Sequence, residues 1–155
     1  EYPTAKGEAF GEVYPLAGHE LEAWFHNADL VLKKLTVEIE GASKVRCWPH
    51  HFDIASLITL VDTGDAETSK SINIGMSPGD ENYNEPYFYV SPWPYPLTEL
   101  PDISDTGGFW HEENWIGAIL RASDMSHLKT AKDQHDTVVN FLDKSLKILK
   151  GLLGE

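Results

Sequence analysis

Cysteine is almost missing. Cys47 is the one thiol in 155 residues, so no disulfide can close within the chain and a reducing, cytoplasmic setting is the expected home. Long apolar runs are missing as well. No stretch of about 18 apolar residues and no charged-then-apolar leader can be read, so a membrane is not an expected partner. Positive charge is scarce: 12 Lys and Arg against 25 Asp and Glu leave a net charge of −13. Such a surface repels a phosphate backbone, which argues against nucleic acid as a partner. The lysines that do cluster, Lys129, Lys132, Lys144, Lys147 and Lys150, fall in the last expected helix and read as its solvated face. An initiator Met is also lacking. Glu1 leads a polar, Pro- and Gly-containing stretch, so the expectation is the C-terminal piece of a longer protein.

What is present has the patterning of one α+β domain over 1–155. Leu21, Trp24, Phe25, Ala28, Val31, Leu32 and Leu35 recur at helical spacing, which predicts a helix over 17–39 after an extended lead-in at 1–16, with Gly41 placed to end it. Leu128, Ala131, Val138, Phe141, Leu142, Ser145, Leu149 and Leu152 form a second stripe. They predict a helix over 125–150, capped by Ser123 or Ser126 and stopped near Gly151 or Gly154. Between these helices, over 45–121, the period changes to two and β-branched and aromatic residues take over. Strands are predicted at 51–61, 71–77, 87–91 and 115–121, with a short one at 45–48 before them. The expected fold is therefore an antiparallel sheet of about four strands, run as a meander and flanked by an N-terminal and a C-terminal helix.

Alternation also sorts the side chains. One face is apolar enough to seat both helices. The other would carry His51, Asp53, Asn73, Gly75, Tyr87, Tyr89, Trp115 and Gly117, a mixture of polar groups, rings and glycines that suits a small-molecule site. The same face could instead cover an upstream domain of the same protein or a second copy in a homodimer.

Several motifs fail on inspection. Gly75-Met76-Ser77-Pro78-Gly79 spells a nucleophile elbow, but Pro78 has no N–H to offer an oxyanion, and the residues read as a Pro/Gly turn. Asp80, Asn82 and Asn84 open like a calcium loop, yet Glu85 stands where the loop needs glycine and Ser91 where it needs a bidentate Glu. His111-Glu112-Glu113-Asn114-Trp115 begins like a zincin helix and puts Trp115 in the second histidine's place.

Two clusters survive. In Trp48-Pro49-His50-His51-Phe52-Asp53, His51 and Asp53 share a strand face about 7 Å apart. In Gly107-Gly108-Phe109-Trp110-His111-Glu112-Glu113, another imidazole and two carboxylates lie beside the last strand. If the clusters meet, His51, Asp53, His111 and Glu112 supply nitrogen and oxygen donors for a divalent metal. The candidate ligand-binding set is His50, His51, Asp53, Tyr87, Tyr89, Trp93, His111 and Trp115. The first reading is a domain that binds a small molecule, with a metal-assisted enzyme as its catalytic version. The second is a non-catalytic interaction domain, in which Trp93, Tyr95 and the neighbouring prolines are contact residues.

The blocks "VRCWPHHFDIASLITL", "SINIGMSPGDENYNEPYFYVSPWPYP" and "GGFWHEENWIGAIL" resemble those of a family of uncharacterised bacterial proteins that are usually longer at the N-terminus. The W-x-x-x-F-D-I-A pattern, followed by F-Y-x-x-x-x-P-x-P, is also similar to a second domain family without assigned function. The likeness spans roughly Leu21 to Leu120. It implies the C-terminal portion of a bacterial protein and brings no activity or site residues with it.

Overall fold

The computed structural model of the chain describes residues 15–154. The lead-in expected before the first helix lies outside the described residues up to position 14. Helix α1 (Pro15–Thr36) is followed by strands β1 (Arg46–Trp48), β2 (Asp53–Val61), β3 (Lys70–Ser77) and β4 (Tyr87–Trp93). Strands β5 (Phe109–His111) and β6 (Gly117–Arg121) and helix α2 (Ala131–Leu153) complete the chain. Proline opens α1, where its fixed φ suits the first turn and its missing N–H is not needed. The helix stops at Thr36, short of the predicted 39, and Thr36 Oγ1 donates to Leu32 O at 2.7 Å. Gly41, at φ +78°, belongs to the turn beyond it rather than to the helix end.

The sheet has six strands in the order β1-β2-β3-β4-β6-β5, not about four, and every paired neighbour is antiparallel. The four strands of the expected meander, β2, β3, β4 and β6, lie side by side, and the short strand expected before them is β1. After β4 the chain passes to the far edge, lays down β5, and returns as β6 between β5 and β4. Strand β5 escaped the periodicity reading because three residues behind a Gly-Gly pair are too few to show alternation. At the opposite edge the segment at 41–43 extends the cover of β2, with Ser43 N–H donating to Leu57 O at 2.8 Å and Thr59 N–H to Gly41 O at 3.0 Å. Pro92 sits inside β4 but beyond Val90, the last β4 residue paired with β6, so its missing N–H breaks no rung on that side. The peptide bond after Trp93 is cis.

Both helices pack on one face. Ile58, Ile72, Ile74, Met76, Val90 and Leu120 project from the strands and meet Leu32 of α1 and Phe141, Leu142 and Leu149 of α2, all fully buried. Dehydrating these side chains is the main term holding the layers together, at roughly 1.5–3 kcal/mol each. Helix α2 begins at Ala131 rather than 125. Thr130 caps it, its Oγ1 accepting from Asp133 N–H at 3.0 Å, while Ser123–Met125 makes only a separate 3₁₀ turn. Ala131, expected in the apolar stripe, is exposed. The helix runs on to Leu153, and Gly154 ends it in the left-handed region at φ +89°. Three of its lysines pair with carboxylates on the outer surface, Lys132 with Asp136, Lys144 with Asp105 and Lys147 with Asp143. No described helix is long and apolar enough to cross a membrane.

Candidate functional site

The opposite face of the sheet is unlike the helix face and follows the predicted alternation closely. Register places Ala55 beside Gly75, Gly75 beside Tyr89, and Tyr89 beside Ile119, so one row crosses β2, β3, β4 and β6. Ala55, Tyr87, Tyr89 and Ile119 are buried there, with Trp48, Tyr83, Phe109 and Trp115 packed against them. This is a second, aromatic core on the side away from the helices. It exists because Gly75 has no side chain: a Cβ there would lie 2.8 Å from the Tyr89 hydroxyl and 2.7 Å from both Ala55 Cβ and Ile54 O.

A recess of about 620 Å³ opens on this face. Asp53, Asn73, Tyr87, Tyr89, Ser91 and Trp115 line it, together with His51, Ser77, Tyr95, Asn114 and the loop residues Asp80, Glu81 and Asn82. Two tyrosine–carboxylate pairs organise it. Tyr89 Oη donates to Asp53 Oδ2, and both side chains are only 7% exposed. Tyr87 Oη donates to Asp80 Oδ2 at 2.7 Å. Asp80 Oδ1 in turn accepts from the N–H groups of Asn82 at 2.8 Å and Tyr83 at 3.0 Å, so one carboxylate both closes its own loop and ties it to β4.

Acidity follows from these contacts. Burial would raise the Asp80 carboxyl, but the Tyr87 phenol and the two loop N–H groups outweigh it and hold the group below its ordinary value. Burial lifts the Tyr87 phenol well above its ordinary value, and its hydrogen bond to Asp80 adds to the effect. Burial and then the adjacent Asp53 charge do the same for Tyr89. Both phenols therefore stay protonated and act as fixed donors at neutral pH.

Beside the recess stands a third tyrosine pair. Tyr83 Oη lies 2.7 Å from His111 Nδ1. Burial also lifts the Tyr83 phenol above its ordinary value. The His111 ring stacks on Trp115 with centroids 4.6 Å apart and planes 32° from parallel. Trp115 can fold over the sheet only because Gly117 follows: a Cβ at Gly117 would come within 2.4 Å of the indole. The other nitrogen, Nε2, is buried with no hydrogen-bond partner among the described residues.

The residues read from the sequence divide accordingly. Asp53, Tyr87, Tyr89, Trp115 and His51 line the recess, although His51 lies in a turn and β2 begins only at Asp53. Phe52 is the reason, since its φ of +55° rotates the chain out of extended geometry just before the strand. His50 is exposed, stacks edge-on against His51 with centroids 4.4 Å apart, and is not part of the lining. Trp93 lies elsewhere, its indole N–H donating to Ala66 O at 2.8 Å in the β2–β3 turn. His111 sits under Trp115 beside the recess. Glu112 is exposed on the loop that follows β5.

The divalent-metal set does not assemble. Among the described residues no three His, Cys, Asp or Glu side chains are grouped to hold a metal ion. Asp53 is engaged by Tyr89 and His111 by Tyr83, two tyrosine partnerships that alternation alone cannot reveal. Asp80 is a recess-lining position absent from the residues expected from the sequence. The loop that follows is closed by Asp80 itself, whose carboxylate accepts the backbone N–H groups of Asn82 and Tyr83. Ser77 ends β3 and the chain bends at Pro78, with Ser77 Oγ accepting from Gly79 N–H at 3.2 Å.

No protein-family model, curated protein or solved structure matches this chain.

Proposed function

We propose that the chain is a small-molecule-binding domain whose site is the recess on the sheet face away from the helices. The observation that carries this reading is the buried Asp53–Tyr89 pair lining a 620 Å³ concavity with aromatic walls. That volume falls within the usual few hundred to one thousand Å³ of ligand pockets. Apolar ring faces can remove a ligand from water while a few placed polar groups fix its orientation. In a catalytic version, Asp53 or His51 acts as general base toward the bound molecule. The surrounding negative charge disfavours nucleic acid, and the blocks quoted above resemble those of uncharacterised bacterial proteins.

A fragment library screened by two-dimensional amide NMR tests the reading. Binders should shift resonances of Asn73, Gly75, Tyr89 and the Trp115 indole, and Asp53→Ala should abolish those shifts while the remaining spectrum stays folded. A library that never moves these signals overturns it.

One observation favours a second reading, an assembly surface. Trp93, Tyr95 and Leu97 stand 43%, 37% and 103% exposed along the arm that leaves β4. Aromatic rings held outward in this way suit a contact with a second copy or an upstream domain. Sedimentation equilibrium over a wide concentration range decides it. A monomer–dimer transition lost in Trp93→Ala supports the assembly surface, and a monomer throughout removes the homodimer.

A further inference from the structure

We propose that the recess selects an organic cation, an ammonium or quaternary ammonium group carried on a small molecule, and rejects anions of the same shape. The inference rests on the recess being a ligand site and names the class of ligand.

The polar inventory is one-sided. Asp53, Asp80 and Glu81 line the recess, whereas no lysine or arginine does. Three of the hydroxyl donors that could greet an anion are already committed. Tyr89 Oη donates to Asp53, Tyr87 Oη to Asp80, and Ser91 Oγ donates to Ile116 O at 2.8 Å. What remains at the floor is acceptor capacity. Asn73, Asn82 and Asn114, the Ser77 and Tyr95 hydroxyls and the His51 imidazole can donate, but each carries an acceptor as well as a donor.

An independent observation points the same way. Asp53 lines the recess with Oδ2 held by Tyr89, while Oδ1 accepts no hydrogen bond from any described residue and is not sealed from solvent. A carboxylate oxygen left free to accept at the recess is a ready partner for a bound cation or N–H group. The walls complete the match. Tyr87, Tyr89, Tyr95 and Trp115 present ring faces or edges around the same space, and aromatic faces attract ammonium groups, most strongly when water is excluded. The net charge of −13 adds a long-range preference of the same sign.

Three probes of one shape isolate charge: choline, its uncharged analogue 3,3-dimethylbutan-1-ol, and the anion 3,3-dimethylbutanoate. Each is titrated into the full chain at fixed ionic strength and followed by amide and indole NMR, with calcium chloride as a fourth titrant. Choline should shift Gly75, Tyr89 and Trp115 signals and bind at least tenfold tighter than the alcohol, while the butanoate should leave them unmoved. Asp53→Asn should weaken choline at least tenfold. Glu81→Gln, at an exposed position that leaves the core untouched, should weaken it about two- to threefold if Asp53→Asn fails to fold. Equal binding of the alcohol or the anion overturns the cation preference and leaves the ligand-binding reading standing. Calcium binding without choline binding also overturns it, in favour of an inorganic ion. If no probe moves these signals the inference fails, and the ligand-binding reading fails with it only when the fragment library is equally silent.

Discussion

Tyr89→Phe removes one hydroxyl from the middle of the aromatic face and should cost far more than a surface change of the same size. The ring keeps its place between Gly75 and Ile119, so packing is nearly conserved. The loss falls on Asp53 Oδ2, whose donor disappears while its side chain stays 7% exposed. Asn73 Nδ2, at 3.4 Å from the Tyr89 oxygen, loses a long and weak contact that adds little. Leaving a buried carboxylate without its donor costs about 2–3 kcal/mol. With a urea dependence of about 1–3 kcal/mol per molar for small domains, the unfolding midpoint should fall by roughly 1–2 M. The melting temperature should drop by roughly 5–10 °C. A second background identifies the cause. In Asp53→Asn the acceptor is neutral, so the same Tyr89→Phe change should cost only about 0.5–1.5 kcal/mol, the range of an ordinary hydrogen bond. Urea unfolding of the four proteins in this cycle gives the coupling. Additivity within about 0.5 kcal/mol, or a single-variant cost below that figure, would refute the claim that this pair organises the face.

Gly75→Ala drives a methyl to within 2.8 Å of the Tyr89 hydroxyl and 2.7 Å of Ile54 O; it should cost about 1–3 kcal/mol by overpacking and should also weaken any recess ligand, readable as a lower urea midpoint together with a smaller NMR response. A midpoint unchanged from the parent would show that the strand can move aside freely. Stability should also fall at both ends of the pH scale through the Asp80–Tyr87 contact. Asp80 is depressed on folding, so its contribution is present above the unfolded value of 3.8 and is lost as the pH drops through the lower folded value. Tyr87 is raised on folding, so its contribution is full below 10.0 and is lost as the pH climbs toward the folded value. Urea midpoints measured across pH should lose part of the acid slope in Asp80→Asn and part of the alkaline slope in Tyr87→Phe. Unchanged slopes would remove the contact from the pH response.

The sequence made legible whatever repeats. The α1 stripe from Trp24 to Leu35 and the α2 stripe from Val138 to Leu149 both face the sheet as their spacing demands. Strict alternation through β2, β3 and β4 put Asp53, Asn73, Gly75, Tyr87 and Tyr89 on one face without knowledge of strand order. What did not repeat was invisible. Strand β5 is three residues long, shorter than the window in which alternation can be counted, whereas the equally short β1 falls within the strand expected at 45–48. The turn at His51 and Phe52 depends on a single left-handed backbone angle, which no side-chain pattern records. Partner choice is the other blind spot. Histidine and carboxylate near one another suggested a metal, whereas each was taken by a tyrosine from a different strand or loop: Asp53 by Tyr89, His111 by Tyr83. Such pairings depend on register across the sheet, and periodicity within a strand does not contain register.

Both margins of the sheet close on these shortest strands, and the segment at 41–43 continues the cover of β2 beyond β1. Among the described residues, a neighbouring polypeptide seeking to extend the ladder would find only a three-residue strand at the β5 margin and short, broken segments at the other. That is too little to template lateral growth, so the protein is guarded against edge-to-edge polymerisation by brevity rather than by charge. Any association it makes must then be broadside, through the aromatic arm or the helix layer, and side-chain substitutions on those surfaces should control it where backbone-directed ones at the margins do not.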